Sequence, residues 1–312
     1  MTSVVRNASH AGDWYTANAS KLDGELAGWL EAVDADYPIR GCKAIIAPHA
    51  GYAYSGPAAA WAYKSIDVSS IKRVFVLGPS HHIYIDGCAL SKCTSYATPL
   101  GDLPIDLDTV RELRASGKFQ EISHSADEDE HSLEMHLPYI RKVFQGKDIA
   151  IVPIVVGAIN QQLEAEFGAL LAPYLARDDT FCVVSSDFCH WGTRFNYTYY
   201  LPNASATPMR LSRSQTQSLD QPIHASIRAL DHQAMNILAK PPASSAHAAF
   251  AAYLSSTKNT ICGRHPIGVL LGSLAALHDR PSELKWVRYE QSSECETLRD
   301  SSVSYASAWV KF

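Results

Sequence analysis

Three apolar, strand-like runs in this chain each lead into histidine. Ala44 to Ala47 runs into Pro48 and His49, Val74 to Leu77 into Gly78, Pro79, Ser80, His81 and His82, and Cys182 to Ser185 into Ser186, Asp187, Phe188, Cys189 and His190. Near-continuous apolar runs of this length read as strands buried on both faces of an α/β sheet, and functional groups gather beyond the carboxyl ends of such strands. Histidines at three of those ends can converge on one crevice, which points to a metal or an acid/base site.

The rest of the chain alternates accordingly. Leu22, Leu26, Trp29, Leu30 and Val33 fall near helical spacing, and Pro57 opens a small-residue helix through Tyr63. Further helices are expected from Thr109 to Gly117, from Glu128 to Phe144 with a break near Pro138, from Gln161 to Leu175, from Ser226 to Leu238, and from Pro266 through Leu277. Strands are expected from Ile149 to Val156 and from Phe181 to Ser185. This order predicts a single α/β domain over 1–312, an α/β/α sandwich around a largely parallel or mixed central sheet, with a polar surface insertion at about 201–221.

Composition narrows the function. A net charge of −5 offers no basic surface for nucleic acid, and no apolar run is long enough to insert into a membrane. The N-terminal segment lacks a signal-type apolar core, so a cytoplasmic location is expected, with the nucleus also open. The seven cysteines contain no C-x-x-C pair and read as reduced thiols. No nucleophile elbow, P-loop, G-x-G-x-x-G or H-E-x-x-H occurs.

What remains is a metal-type set of side chains. Cys262 immediately precedes the helix expected at Pro266, with Arg264 nearby, so positive potential there is expected to favour its thiolate. A thiolate beside histidines favours iron, copper or zinc over magnesium. Asp127 to Asp129 read as a solvated helix start, whereas Glu130, His131 and Glu134 are placed to make contacts behind ligating histidines. Asp187 and His190, three apart after a strand, suit proton transfer near a bound substrate.

Several blocks resemble one family in order and nearly end to end: Ser9–Tyr15, Ala47–Tyr52, Leu77–His82, Asp127–Tyr139, Ser185–Gly192, Thr260–Gly268 and Asp300–Ala306. They are similar to the Memo family, mediators of receptor-tyrosine-kinase-driven cell motility. The resemblance implies a fold like that of class III extradiol (LigB-type) non-haem iron dioxygenases. It also implies a metal trio of His49, His81 and Cys262, with His190 at the place of the dioxygenase acid/base histidine. Thiolate in place of carboxylate makes the site softer, so ring cleavage does not follow from fold. Iron(II) or copper, with zinc as a substitute, and a role in redox regulation and signalling are the family's expectation. Two classes stay open: an oxidase or dioxygenase of unknown substrate, and a non-catalytic module or scaffold. The module would bind phosphotyrosine-bearing receptor tails or other signalling proteins, with Trp14, Tyr15, Tyr54 and Arg264 forming an aromatic, basic mouth.

Overall fold

The computed structural model describes residues 3–203, 206–212 and 219–312. Nine strands build the central sheet: β1 (Cys42–Ala47), β2 (Arg73–Pro79), β3 (Cys88–Leu90), β4 (Gln120–Glu121), β5 (Ala150–Val156), β6 (Thr180–Ser185), β7 (Asp187–Trp191), β8 (Glu283–Gln291) and β9 (Ser302–Lys311). Their order is β7-β9-β1-β6-β2-β5-β3-β4, with β8 paired to β9. The centre β1-β6-β2-β5 is parallel, and its Ile45, Ile46, Phe75, Val76, Ile151 and Val183 are wholly buried, as the apolar runs require. β9 runs antiparallel to β1, β7 and β8, and β3 antiparallel to β5, so the sheet is mixed.

Ten helices accompany it among the described residues: α1 (Ala19–Glu31), α2 (Tyr52–Lys64), α3 (Leu107–Ala115), α4 (His124–Asp129), α5 (His131–Glu134), α6 (Leu137–Val143), α7 (Gln161–Leu175), α8 (Ile223–Leu238), α9 (Ala243–Thr257) and α10 (Arg264–Ala276). One layer packs α1 and α6 on α2, which lies against β1 and β9; the other packs α7 and α9 on α10, which lies against β2 and β6. The result is an α/β sandwich.

Three local expectations change. Pro57 lies inside α2, which starts at Tyr52; at the sixth helical position it lacks the N–H that would have bonded the Ala53 carbonyl one turn back. The segment from Glu128 to Phe144 does break near Pro138, which sits in the first turn of α6, where its missing N–H leaves no bond unmade, but it breaks a second time at Glu130, whose backbone is extended (φ −81, ψ 111). α10 begins at Arg264, ahead of Pro266. Within the 201–221 stretch, Met209–Arg210 pairs antiparallel with Tyr199–Tyr200, and Tyr200 Oη donates to the Gln221 carbonyl at 2.9 Å. Residues 204–205 and 213–218 of that stretch lie outside the described residues. The β8–β9 hairpin was not legible as strand because β9 is rich in serine and alanine, small residues buried here by β1 and β7.

Helices α7 and α10 meet backbone to backbone. A Cβ on Gly168 would stand 2.5 Å from the Gly272 carbonyl carbon and the Ser273 nitrogen. Gly168→Ala should therefore cost about 1–3 kcal/mol of stability by overpacking, read as a lowered urea midpoint; an unchanged midpoint would contradict this packing.

Candidate metal centre

The site forms where the carboxyl ends of β1, β2 and β6 meet α5. Ser132 of α5 fixes this junction: its hydroxyl donates to the Pro79 carbonyl beyond β2 (2.8 Å), and its carbonyl accepts from the Ser185 hydroxyl at the end of β6 (2.8 Å). His49, His81 and His131 thereby each bring a ring nitrogen within 4.8 Å of the other two. They open on a cleft of about 830 Å³.

Hydrogen bonds fix which nitrogens are free. The Ser185 hydroxyl spends its proton on Ser132, so it accepts from His49 Nδ1–H at 2.6 Å and leaves His49 Nε2 as a bare lone pair. Glu130 accepts the His81 main-chain N–H (2.6 Å) and faces His81 Nδ1 at 2.8 Å, which puts the ring proton on Nδ1 and frees Nε2. The same carboxylate caps α5 by accepting the Ser132 N–H at 2.9 Å. Burial alone would raise Glu130, but the His81 contacts and the amides hold it down at about 2. His131, whose buried Nδ1 has no hydrogen-bond partner and lies 3.7 Å from Glu130 Oε1, stacks on His81 at 4.3 Å.

Burial, reinforced by neighbouring rings, pushes His49 well below the usual histidine range and His131 down to about 3. Both rings are therefore neutral, the ligating form. Cys262 Sγ lies 3.2 Å from His49 Nε2 and 3.2 Å from the Asp187 N–H, which donates to it. A Cβ on Gly263 would lie 2.3 Å from the Ser185 carbonyl oxygen, so only glycine lets this loop come so close. Cys262 is a thiol rather than the expected thiolate: burial, with the Asp187 charge adding to it, pushes its pKa well up and outweighs Arg264 and the main-chain N–H groups of Asp187 and Gly263. A bound cation would reverse that balance. Neutral imidazoles, an orphaned buried nitrogen and a sulfur beside them fit a soft or borderline transition metal.

The remaining residues sort by geometry. His190 Nδ1 faces the Phe188 carbonyl (2.9 Å) and the Thr260 carbonyl (3.2 Å), so its proton is held there and Nε2 is left free on a ring that lines the cleft. Asp187 Oδ1 accepts the His49 main-chain N–H at 2.9 Å, and burial raises its pKa. Glu134 gathers Arg6 Nη1 (2.7 Å), His10 Nδ1 (2.8 Å) and Tyr15 Oη (2.8 Å), tying the N-terminal segment to α5. Asp127 is not solvated: it is buried and accepts from Ser91 (2.5 Å) and Tyr96 (2.6 Å).

Trp14 and Tyr54 line the cleft and are exposed, the Trp14 ring tilted by 37° against His131 with centroids 4.5 Å apart. Tyr15 is buried against Glu134, and Arg264 reaches the Ile261 carbonyl (3.3 Å) rather than the cleft. The arginine on the cleft wall is Arg194, set over the Phe195 ring at 4.5 Å. Sequence reading assigned no role to Arg194, Tyr305 or the paired serines Ser292–Ser293 and Ser301–Ser302 of that wall; the signals were the nearness of Arg194 to His190 and the place of Ser301, Ser302 and Tyr305 within the Asp300–Ala306 block.

Glu134 is likewise held at about 2, where its hydrogen bonds and Arg6 outweigh burial. A depressed carboxylate contributes stability above its unfolded value and loses it as pH falls through the folded one. Metal-free protein should therefore lose stability between about pH 4.5 and pH 2, and Glu134→Gln should be less stable at pH 7 with a flatter acid limb. Parallel unfolding curves of the two proteins across that range would contradict the assignment.

The Memo-like protein family profile matches residues 6–309. The chain is 46% identical over 308 residues to Protein MEMO1 of Homo sapiens and of Mus musculus, covering 97% of this chain and 96% of each relative. It is 41% identical to Protein memo-1 homolog of Caenorhabditis elegans, covering 97% of this chain and 81% of the relative. A crystal structure of an uncharacterized Escherichia coli K12 protein aligns with TM-score 0.49 and 14% identity, covering 85% of this chain and 99% of that one.

Proposed function

We propose, for a chain that belongs to the Memo-like protein family, a role as a redox-metal protein that binds iron(II) or copper through His49, His81 and Cys262, with His131 as a further donor. The observation that carries this reading is the convergence of three imidazole nitrogens within 4.8 Å. The 3.2 Å approach of Cys262 to the free nitrogen of His49 supports sulfur as part of the set. Such a metal, when bound, supplies one-electron redox chemistry and Lewis acidity. The protein's own part is to keep the His49 and His131 rings neutral and to aim the imidazole lone pairs. His190 would accept or return a proton at Nε2, and Asp187 would fix the His49 loop. Redox regulation coupled to signalling and cell motility is the cellular role proposed, in the cytoplasm or nucleus.

A second reading is favoured by Arg194. A guanidinium beside Phe195, with Trp14 and Tyr54 on the same cleft, suits a phosphotyrosine side chain better than Arg264 does, since arginine pairs with phosphate while rings stack on rings. This reading makes the protein a binding module.

Anaerobic competitive titration separates the ligands. His49→Ala should weaken both metals by more than the roughly 10–100-fold expected from losing only an outer partner. Cys262→Ser should weaken Cu(I) more than Fe(II), because Cu(I) prefers sulfur. Unchanged Cu(I) affinity in Cys262→Ser would remove the sulfur and leave a three-histidine centre. If oxygen is consumed with any reductant, His190→Ala should slow turnover by roughly 10²-fold with metal content retained; loss of metal in that variant would make His190 a ligand instead.

A further inference from the structure

Asp231 of α8 is wholly buried, yet its hydrogen bonds come from neutral groups. Oδ1 accepts the Cys189 main-chain N–H (3.3 Å) and the Asn259 side-chain amide (3.0 Å), while Oδ2 accepts the Tyr289 hydroxyl (2.9 Å). A buried carboxylate without a cation is costly. Burial pushes this one up to about 6, against hydrogen bonds from Ser304, Asn259 and Tyr289. A hydrophobic residue would fill the space at less cost.

What the carboxylate connects gives the reason. The β7–β9 ladder slips register between Asp187 and His190, a bulge that re-aims side chains. Cys189 sits in that bulge, and its N–H is satisfied by Asp231. Asn259 begins the loop that ends in Cys262, and the next residue, Thr260, clamps His190. The Thr260 hydroxyl accepts the His190 N–H at 2.7 Å and donates to the His190 carbonyl at 3.0 Å. One carboxylate oxygen thus joins the bulge behind His190 to the loop that carries Cys262.

We propose that Asp231 is a positioning residue: through Cys189 and Asn259 it locks the His190 bulge and the Cys262 loop in one register, so that imidazole and sulfur are presented to the cleft together. The consequence for metal binding rests on the Cys262 ligation proposed above; the positioning itself does not. Asp231→Asn keeps an oxygen acceptor for both donors, whereas Asp231→Leu keeps the branched side-chain shape, with bulkier methyls, and removes it.

Amide hydrogen exchange of the metal-free protein tests the lock. Asp231→Leu should speed exchange in 187–191 and 259–263 while α1, α2 and the central strands stay protected, and Asp231→Asn should match wild type. A uniform loss of protection, or none in these two segments, would overturn the proposal. Should Asp231→Leu fail to fold, Asn259→Ala should loosen 259–263 alone, and unchanged exchange there would overturn it equally. Cobalt(II) then reads the sulfur: the thiolate-to-cobalt absorption per bound ion should fall in Asp231→Leu and persist in Asp231→Asn, and an unchanged band in Asp231→Leu counts against the proposal. A wild type that binds cobalt without that band would refute Cys262 ligation and leave the exchange result to decide the positioning.

Discussion

The clasp between Glu130 and His81 is the interaction on which the site depends. One carboxylate accepts the main-chain N–H of His81, faces its Nδ1 and caps α5 through Ser132. It therefore fixes at once the loop beyond β2, the tautomer of the ring and the start of the helix that carries His131. Without it, two of the three converging imidazoles would lose their common frame. Ser185 performs the same service for His49 from the end of β6, and Ser132 ties the two supports together.

These supports oppose a real cost. With His49 buried and His131 and Cys262 half-buried beside it, desolvation disfavours positive charge on these two rings and negative charge on the sulfur, while His81 stands exposed at the mouth. In the metal-free protein the His49 and His131 rings and the Cys262 thiol are neutral, and the buried Nδ1 of His131 has no hydrogen-bond partner. Such an arrangement is poor as a core and good as a receptor for a cation, which would reward the same lone pairs and favour the thiolate.

The sheet and the positions of His49 and His81 were legible because buried parallel strands write apolar runs and their ends mark the crevice. His131 was legible only as a neighbour of acidic residues, since its place in the cluster depends on a second break, at Glu130, besides the one before Pro138. The Cys262 loop was read correctly as preceding a helix, but its ionisation was not, because the field of a helix end is visible in sequence while burial is not. Arg264 and Arg194 differ in the same way: each is close in sequence to a site residue, and only the direction of the side chain, set by α10 and by the short turn Thr193–Phe195, decides which one meets the cleft.

The central claim is that imidazole and sulfur of this chain bind one metal together. X-ray absorption at the metal edge of the iron(II)- or Cu(I)-loaded protein measures that directly. The account predicts one sulfur at about 2.3 Å and two or more imidazole nitrogens at about 2.0–2.1 Å, by analogy with zinc bonded to the same donors. A first shell of light atoms without sulfur, or without the multiple-scattering pattern of imidazole, would contradict it.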